Sequence, residues 1–237
     1  MTIICTICAR GGSKGVKGKN TRKIAGKPLI AHTLETAKNV TLFDQIAVSS
    51  DSEQILEISE RFGIKNLIKR PDELATDTAQ KLPAIKHCVD TVEKKIGYKF
   101  DIITELDCTS PLRTIEDIKG AIDLLKSKKV SNIITGSESR RSPYFNLVEE
   151  DTNGFIRLSK ETDEYVYRRQ DSPRCYDMNA SIYVWNRDIF FKNMKVFYPD
   201  TLLYKMPTSR SVDIDSLLDF EIVEYLLSNE KNSKNQI

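Results

Sequence analysis

The stretch Ala9-Arg10-Gly11-Gly12-Ser13-Lys14-Gly15-Val16-Lys17-Gly18-Lys19-Asn20 comes directly after the apolar run Ile3 to Cys8. Such a run is typical of a buried strand in a parallel sheet, and here it leads into a loop with four glycines and four cations. Glycine has no Cβ and allows positive φ, so successive backbone N–H groups can converge on one cluster of anionic oxygens. The loop therefore predicts a polyphosphate site.

Positive charge is concentrated in this front part of the chain. Seven Lys and Arg residues precede the first acidic residue, Glu35. The whole chain has 36 Lys and Arg against 34 Asp and Glu, and a net charge of +2 lacks the basic bias of a nucleic-acid binder. A solvated basic loop is the alternative interpretation. The position after the first strand favours a ligand, because ligands of open α/β sheets lie beyond the carboxyl ends of the strands.

The spacing excludes two familiar phosphate motifs. A P-loop has Gly, four residues and then Gly-Lys-Ser/Thr, but here Ser13 stands at its first position and Asn20 at its last. A dinucleotide fingerprint has the spacing Gly-x-Gly-x-x-Gly, whereas the glycines from Gly12 to Gly18 are each three residues apart. The loop thus belongs to neither class.

Length and composition indicate one large domain. The chain has 237 residues, 40% of them hydrophobic and 30% charged, which is enough to bury a full core. Because no apolar run approaches the ~20 residues of a membrane span, a cytoplasmic protein is predicted. Five cysteines without a framework of spacings predict free thiols. Cys5 and Cys8 lie in the predicted first strand and are interpreted as small buried hydrophobes.

Predicted strands and helices alternate along most of the chain, as in right-handed parallel crossovers, so we predict an α/β fold. From residue 139 to 177 the pattern changes, and two short β segments flank Asp151-Thr152-Asn153-Gly154, a hairpin signature. We interpret this stretch as a lid or dimer arm inserted into a single domain over residues 1–228, with a polar tail over 229–237. Predicted strands cover 3–9, 46–50, 100–106, 131–136 and 181–185, and predicted helices cover 28–39, 51–63, 82–96, 114 onward, 186 onward and 217–227.

Asp213 and Asp215 are two residues apart on a short extended segment, so their side chains point to the same side. Two carboxylates on one side are costly unless a cation lies between them, and Mg²⁺ takes carboxylate oxygens together with substrate phosphates. Asp215 also precedes a predicted helix and could simply cap it. The pair by itself leaves both interpretations open.

The cationic glycine loop, a loop with Arg70 and the distal Asp-x-Asp together meet the requirements of nucleotidyl transfer. Backbone amides and Lys19 would hold a triphosphate, and magnesium would neutralise the charge that develops on the α-phosphate and the pyrophosphate. Such displacements depend on positioning and electrostatics, which agrees with the lack of an evident nucleophilic triad. His32 and His87 lie in helical patterns and are interpreted as structural.

Five motifs occur in order along the chain, namely Ala9-Arg10-Gly11-Gly12-Ser13-Lys14 with Lys19-Asn20, Arg70-Pro71 with Glu73-Leu74-Ala75-Thr76-Asp77-Thr78, Ser110-Pro111-Leu112-Arg113, Asn179-Ala180-Ser181-Ile182-Tyr183, and Ser211-Val212-Asp213-Ile214-Asp215. Through them essentially the whole sequence resembles the acylneuraminate cytidylyltransferases (CMP-sialic acid synthetases). The resemblance implies a Rossmann-like, mostly parallel sheet with helices on both faces and an inserted β-rich arm that forms a homodimer. It also implies transfer from CTP to a nine-carbon 2-keto sugar acid (a nonulosonic acid), giving the CMP-sugar and pyrophosphate, with Mg²⁺ or Mn²⁺ as the metal.

The resemblance assigns roles by motif. Arg10, Lys19 and Asp213 are expected to be catalytic, with Lys19 at the α-phosphate and Asp213 helping to deprotonate the anomeric hydroxyl. Asp213 and Asp215 are expected to hold the metal. The expected nucleotide-binding residues are Ala9, Arg10, Gly11, Gly12, Ser13, Lys19, Asn20, Arg70 and Lys81. The expected sugar-binding residues are Asp107, Arg169, Gln170, Asp177, Asn179 and Tyr183.

Several positions depart from the sialic-acid pattern. Asp107-Cys108 stands where those members usually have Gln-Pro, at the position that contacts the sugar and determines which sugar is accepted. Asp177 stands where they tend to have Arg, and Lys81 where they usually have a small hydroxyl residue. Such exchanges should change which sugar substituents are tolerated. With Cys175-Tyr176-Asp177-Met178-Asn179 they favour legionaminic acid over N-acetylneuraminate, and the remaining alternatives are a deoxy-octulosonate (KDO) cytidylyltransferase and a non-catalytic nucleotide-binding domain.

Overall fold

The computed structural model describes residues 1–12, 15–76, 78–162 and 168–234, with the backbone alone over 230–234. The strands are β1 (Ile3–Cys8), β2 (Lys23–Ile24), β3 (Lys27–Pro28), β4 (Gln45–Ser50), β5 (Asn66–Lys69), β6 (Ile102–Leu106), β7 (Asn132–Glu138), β8 (Val148–Glu150), β9 (Ile156–Leu158), β10 (Tyr176–Asn186) and β11 (Leu202–Lys205). The helices are α1 (Leu29–Lys38), α2 (Glu53–Arg61), α3 (Lys81–Ile96), α4 (Ile115–Lys128), α5 (Arg187–Lys192) and α6 (Leu217–Lys234).

Seven strands form the central sheet in the order β11-β7-β10-β6-β1-β4-β5. β1 pairs in parallel with β4 and β6, whereas β10 runs antiparallel between β6 and β7. The predicted α/β fold with a mostly parallel sheet is confirmed. β5 and β11 were not predicted, because each is a four-residue edge strand, too short to show a strand period.

Helices cover both faces of this sheet, as expected. Alternate residues of β1 point to opposite faces, so Ile3, Cys5 and Ile7 share a core with α1, α2 and α4. Ile4 lies in the core on the other face, with α3 and α5. Burial on both faces explains why β1 reads as a continuous apolar run rather than an alternating one.

The insertion leaves the main sheet where β7 and β10 extend beyond their predicted ends. Tyr176 pairs with Glu138, and the register of β10 shifts between Met178 and Tyr183. The predicted hairpin is present as β8 and β9, which pair antiparallel around residues 151–154. Four hydrophobic side chains on or beside it are 46–65% exposed, namely Leu147, Val148, Phe155 and Ile156. A role of this insertion in dimerisation stays a prediction.

One helix boundary agrees with the sequence prediction and another does not. Thr114 and Asp117 form the predicted capping box at the start of α4. α6 continues past the predicted end at Leu227 into the predicted polar tail, of which residues 235–237 lie outside the described part.

No helix among the described residues has the length and apolar character needed to span a bilayer.

A buried ion pair fixes α5 against α3. Arg187 Nη2 lies 2.6 Å from Glu93 Oε2, and both side chains are less than 10% exposed. Glu93 also accepts a hydrogen bond from the Phe100 amide. We expect Arg187→Met to lower the free energy of unfolding by about 3 kcal/mol, because it leaves a buried carboxylate unpaired.

Urea denaturation of the two proteins measures this difference. Arg61→Met is the matched control, since Arg61 pairs with Glu57 on the exposed surface of α2. That control should change the stability by less than about 1 kcal/mol. Equal losses in both variants would show that burial of the Arg187 pair is unimportant.

Candidate active site

A cavity of about 300 Å³ opens at the carboxyl ends of β1 and β6. Cys8 ends β1, and Asp107, Cys108 and Thr109 follow β6 directly. The other walls are formed by the loop between β5 and α3 and by four residues of the glycine loop, namely Arg10, Gly12, Lys19 and Asn20. The cavity thus occupies the position where ligands of open α/β sheets bind.

Most of the residues predicted to bind the nucleotide line this cavity, namely Arg10, Gly12, Lys19, Asn20, Arg70 and Lys81. Two others, Ala9 and Gly11, do not line it. The Gly11 amide donates to Asp51 Oδ1 at 2.9 Å, and the buried Ala9 donates to the Ser49 carbonyl. Ser13, together with the loop cation Lys14, lies outside the described residues. The structure brings together residues from two of the five sequence motifs, together with Lys81.

Arg70 and Asn20 are held by their neighbours rather than free to move. The buried Arg70 guanidinium donates to the Ser49 carbonyl at 2.8 Å and to the Ser49 hydroxyl at 3.2 Å. Asn20 Nδ2 donates to the Arg10 carbonyl at 3.0 Å, while Asn20 Oδ1 is buried without a hydrogen-bond partner in the described structure. This side chain therefore offers an unused acceptor beside the cavity.

The glycine loop packs directly against the segment that contains the two late aspartates. A Cβ on Gly15 would lie 2.0 Å from the carbonyl oxygen of Asp215, so this position requires glycine. Lys19 Nζ donates to the Ile214 carbonyl and lies 3.5 Å from Asp215 Oδ1. Val16 and Ile214 share an apolar cluster with α6. Two regions that are far apart in sequence thus form one wall.

Asp213 is the more buried of the two aspartates. Its Oδ1 is buried and has no hydrogen-bond partner in the part of the chain that the structure describes. Burial raises the pKa of Asp213, the Thr109 hydroxyl partly offsets this, and the carboxylates of Asp107 and Asp215 raise the pKa further. The Asp215 side chain is 82% exposed. A buried carboxylate oxygen without a protein partner suits a divalent cation. Among the described residues no three or more His, Cys, Asp or Glu side chains are grouped closely enough to hold a metal by themselves.

The capping interpretation of Asp215 is wrong. Ser216 precedes the first residue of α6, and its amide donates to Asp219 Oδ2 at 2.7 Å. The Asp219 amide donates back to the Ser216 hydroxyl at 3.3 Å, which completes a capping box. Because Ser216 caps the helix, neither Asp213 nor Asp215 is needed for that purpose.

The residues predicted to bind the sugar lie in different places. Asp107 lines the cavity, and the largely buried Tyr183 lies beneath Lys81, whose Nζ is 5.6 Å from the ring centre. Arg169 and Gln170 instead line a second cavity of about 390 Å³ at the base of the insertion. Within a single copy of the chain, Arg169 and Gln170 therefore do not line the first cavity.

Asp177 and Asn179 make internal hydrogen bonds. Asp177 accepts from the Ser139 hydroxyl at 2.6 Å at the start of the insertion. Asn179 is buried, accepts from the Thr135 hydroxyl at 2.7 Å and donates to the Ser211 hydroxyl at 3.0 Å. These contacts hold the irregular part of β10, which the sequence did not predict, because the strand was expected to begin only at residue 181.

Sequence reasoning missed Glu105 as a site residue. Glu105 is fully buried in β6, accepts from the Thr6 hydroxyl and lies 3.2 Å from Lys81 Nζ. Burial raises the pKa of its carboxyl group. A single carboxylate within the apolar run Ile102-Ile103-Thr104-Glu105-Leu106 was the available signal, because such a group needs a partner when buried.

Lys81 and Asp107 form an ion pair at the cavity wall, with Nζ 2.7 Å from Oδ2. Burial by itself raises the pKa of Asp107, but Lys81 and the Thr109 hydrogen bonds outweigh it and lower the pKa to about 2. Burial likewise lowers the pKa of Lys81, while Asp107 and Glu105 outweigh it and raise that pKa well above its usual value. Both groups are therefore charged at neutral pH.

Comparison with known proteins places this site in context. A family profile described as "Cytidylyltransferase" matches residues 4–232. CMP-N,N'-diacetyllegionaminic acid synthase of Campylobacter jejuni subsp. jejuni serotype O:2 is 44% identical over 226 residues, which cover 95% of each chain. N-acylneuraminate cytidylyltransferase of Streptococcus agalactiae serotype III is 34% identical over 93% of this chain and 52% of that protein. A CMP:2-keto-3-deoxy-manno-octonic acid synthetase complexed with CTP shares the fold, with a TM-score of 0.70, 18% identity and coverage of 97% and 100%.

Proposed function

The chain belongs to the cytidylyltransferase family, and we propose that it joins CTP to a nonulosonic acid of the legionaminic type, releasing pyrophosphate. The observation that carries the chemistry is the contact between the glycine loop and the Asp213–Asp215 segment beside the cavity. The observation that carries the sugar class is 44% identity, over nearly the full length of both chains, to a diacetyllegionaminic acid synthase. The two observations are independent of each other.

In this proposal the glycine loop holds the triphosphate of CTP. Arg10 and Lys19 place positive charge at one side of the cavity, where phosphate oxygens would otherwise repel each other. Asn20 and Arg70 lie next to them and would contact the ribose and the base. Most of this assembly is fixed by internal hydrogen bonds, so little reorganisation is needed when CTP binds.

Asp213 and Asp215 would hold Mg²⁺, or Mn²⁺ in its place, together with phosphate oxygens. When bound, the metal would supply charge neutralisation at the α-phosphate and the departing pyrophosphate. Asp213 would also accept the proton of the anomeric hydroxyl of the sugar. Its burial and its carboxylate neighbours raise its pKa, which makes it a better proton acceptor than an exposed aspartate.

N-acetylneuraminate is the second candidate substrate, because a 34% identical relative is an N-acylneuraminate cytidylyltransferase. The octulosonic acid synthetase shares only 18% of its residues with this chain, and that likeness supports the fold alone. A non-catalytic nucleotide-binding domain would bind CTP without releasing pyrophosphate. We also propose a cytoplasmic homodimer, with the exposed hydrophobic side chains of the β8–β9 hairpin as the supporting observation.

Pyrophosphate release tests the proposal. The protein is incubated with CTP, Mg²⁺ and one of three acids: N,N'-diacetyllegionaminic acid, N-acetylneuraminate or the eight-carbon octulosonate. We expect the highest kcat/KM with the first, and no release when divalent cations are chelated. A preference for N-acetylneuraminate would overturn the legionaminic assignment. CTP binding without pyrophosphate release from any acid would support the non-catalytic alternative.

A further inference from the structure

Three charged side chains meet at the end of the cavity formed by β6 and α3. Lys81 Nζ lies 2.7 Å from Asp107 Oδ2 and 3.2 Å from Glu105 Oε1. Glu105 is fully buried, while the side chains of Lys81 and Asp107 are 34% and 21% exposed. Lys81 and Asp107 both line the cavity, so a ligand there can reach this cluster.

The charges of this cluster disfavour an anionic ligand group. A phosphate or carboxylate that approached Lys81 would also approach Asp107, whose Oδ2 is 2.7 Å from the same nitrogen. Like charges at such distances repel strongly in a partly buried site. The ammonium, already neutralised by carboxylates, is instead suited to donate a hydrogen bond to an uncharged acceptor.

The hydrogen bonds separate the roles of the two residues. Asp107 Oδ1 accepts from the Thr109 amide at 3.1 Å and the Thr109 hydroxyl at 3.0 Å, and Oδ2 accepts from Lys81. The Asp107 carbonyl accepts from the buried Arg113. Lys81 has three N–H donors, of which Asp107 and Glu105 take two among the described residues. One donor remains for a ligand.

The place of the cluster points to the sugar rather than the nucleotide. Thr109, which holds Asp107, also accepts a hydrogen bond through its carbonyl from the Ile214 amide at 2.9 Å. Ile214 directly follows Asp213, the proposed acceptor of the sugar's anomeric proton. Arg70, one of the residues proposed to contact the base and ribose, follows β5, whereas Asp107 follows β6, on the opposite side of β1 in the sheet. A sugar whose hydroxyl reaches Asp213 therefore has its ring substituents near Lys81.

We propose that Lys81 donates a hydrogen bond to an uncharged acceptor on the sugar acid, such as an acylamino carbonyl, and that Asp107 acts as a positioning residue for Lys81. This inference rests on the proposed function and assigns one specificity contact within it. It replaces the prediction from sequence that Lys81 binds the nucleotide and that Asp107 reads the sugar directly.

A double-mutant cycle with Lys81→Met and Asp107→Ala tests the inference, with KM measured separately for N,N'-diacetyllegionaminic acid and for CTP. Lys81→Met should raise the KM for the sugar by about tenfold to hundredfold, the usual worth of a hydrogen bond from a charged group. Asp107→Ala should raise it about tenfold. The double variant should be no worse than Lys81→Met, because Asp107 acts through Lys81. The KM for CTP should stay within about threefold of the unmutated value throughout.

Lys94→Met is the matched control, since Lys94 forms an exposed pair with Asp90 on the same helix and should leave both KM values unchanged. Additive effects of the two substitutions would overturn the positioning role. A rise in the KM for CTP rather than for the sugar would overturn the sugar contact. If Lys81→Met does not fold, an unchanged sugar KM in Asp107→Ala is enough to reject the inference. Lack of turnover in the unmutated protein would instead reject the proposed function.

Discussion

Asp213→Asn is expected to lower kcat about a thousandfold, the usual scale for losing one charged group that stabilises a transition state. Asparagine keeps the shape of the side chain but removes the negative charge that attracts a metal and accepts a proton. Because Asp213 lies beside the cavity and not among its lining residues, the affinity for CTP should change by no more than about threefold. Steady-state pyrophosphate release and calorimetric CTP binding measure the two effects.

The dependence of the rate on Mg²⁺ concentration tests whether Asp213 is a metal ligand. In Asp213→Asn the Mg²⁺ concentration that gives half-maximal rate should rise, since one of two proposed ligands is weakened. Asp123→Asn, an equivalent exchange at an exposed position of α4, should change neither rate nor metal dependence. Full activity in Asp213→Asn would remove this residue from both of its proposed roles.

Gly15→Ala is expected to lower kcat/KM about a hundredfold, because small displacements of a catalytic group have large effects on rate. The added Cβ would lie 2.0 Å from the Asp215 carbonyl oxygen, and that atom belongs to the backbone, so it cannot rotate away. The loop and the Asp213–Asp215 segment must then separate, which also disturbs the contact of Lys19 with Ile214. Activity assays and the melting temperature of the variant measure the effect.

Gly97→Ala provides the contrast. Gly97 has a φ of 82° at the end of α3, so alanine is strained there, but no atom lies within 4 Å of the new Cβ. That variant should lose about 1 kcal/mol of stability and keep its activity. A similar loss of stability with unchanged kcat/KM in Gly15→Ala would show that the contact between loop and acidic segment is structural only.

Local patterns in the sequence were sufficient for much of the secondary structure. The continuous apolar run of β1, the capping box at Thr114 and the turn residues of the β8–β9 hairpin each act over a few neighbouring positions. Their physical causes, namely burial on both faces, capping of free amides and turn geometry, are visible in any short window. The edge strands β5 and β11 have only four residues each, which is too few to show a periodic pattern in the sequence.

The sequence by itself thus determined the α/β class and the glycine loop after the first strand, and it predicted as site residues seven of the fourteen residues that line the cavity. The tertiary structure decided that Ser216 rather than Asp215 caps α6, that Lys81 pairs with Asp107, and that Arg169 lies at a different cavity. Lys19 meets the carbonyl of Ile214 across 195 positions of sequence. Such pairings depend on how helices and strands pack in space, because hydrogen bonds and ion pairs form only between groups that the folded chain brings within a few ångströms of each other.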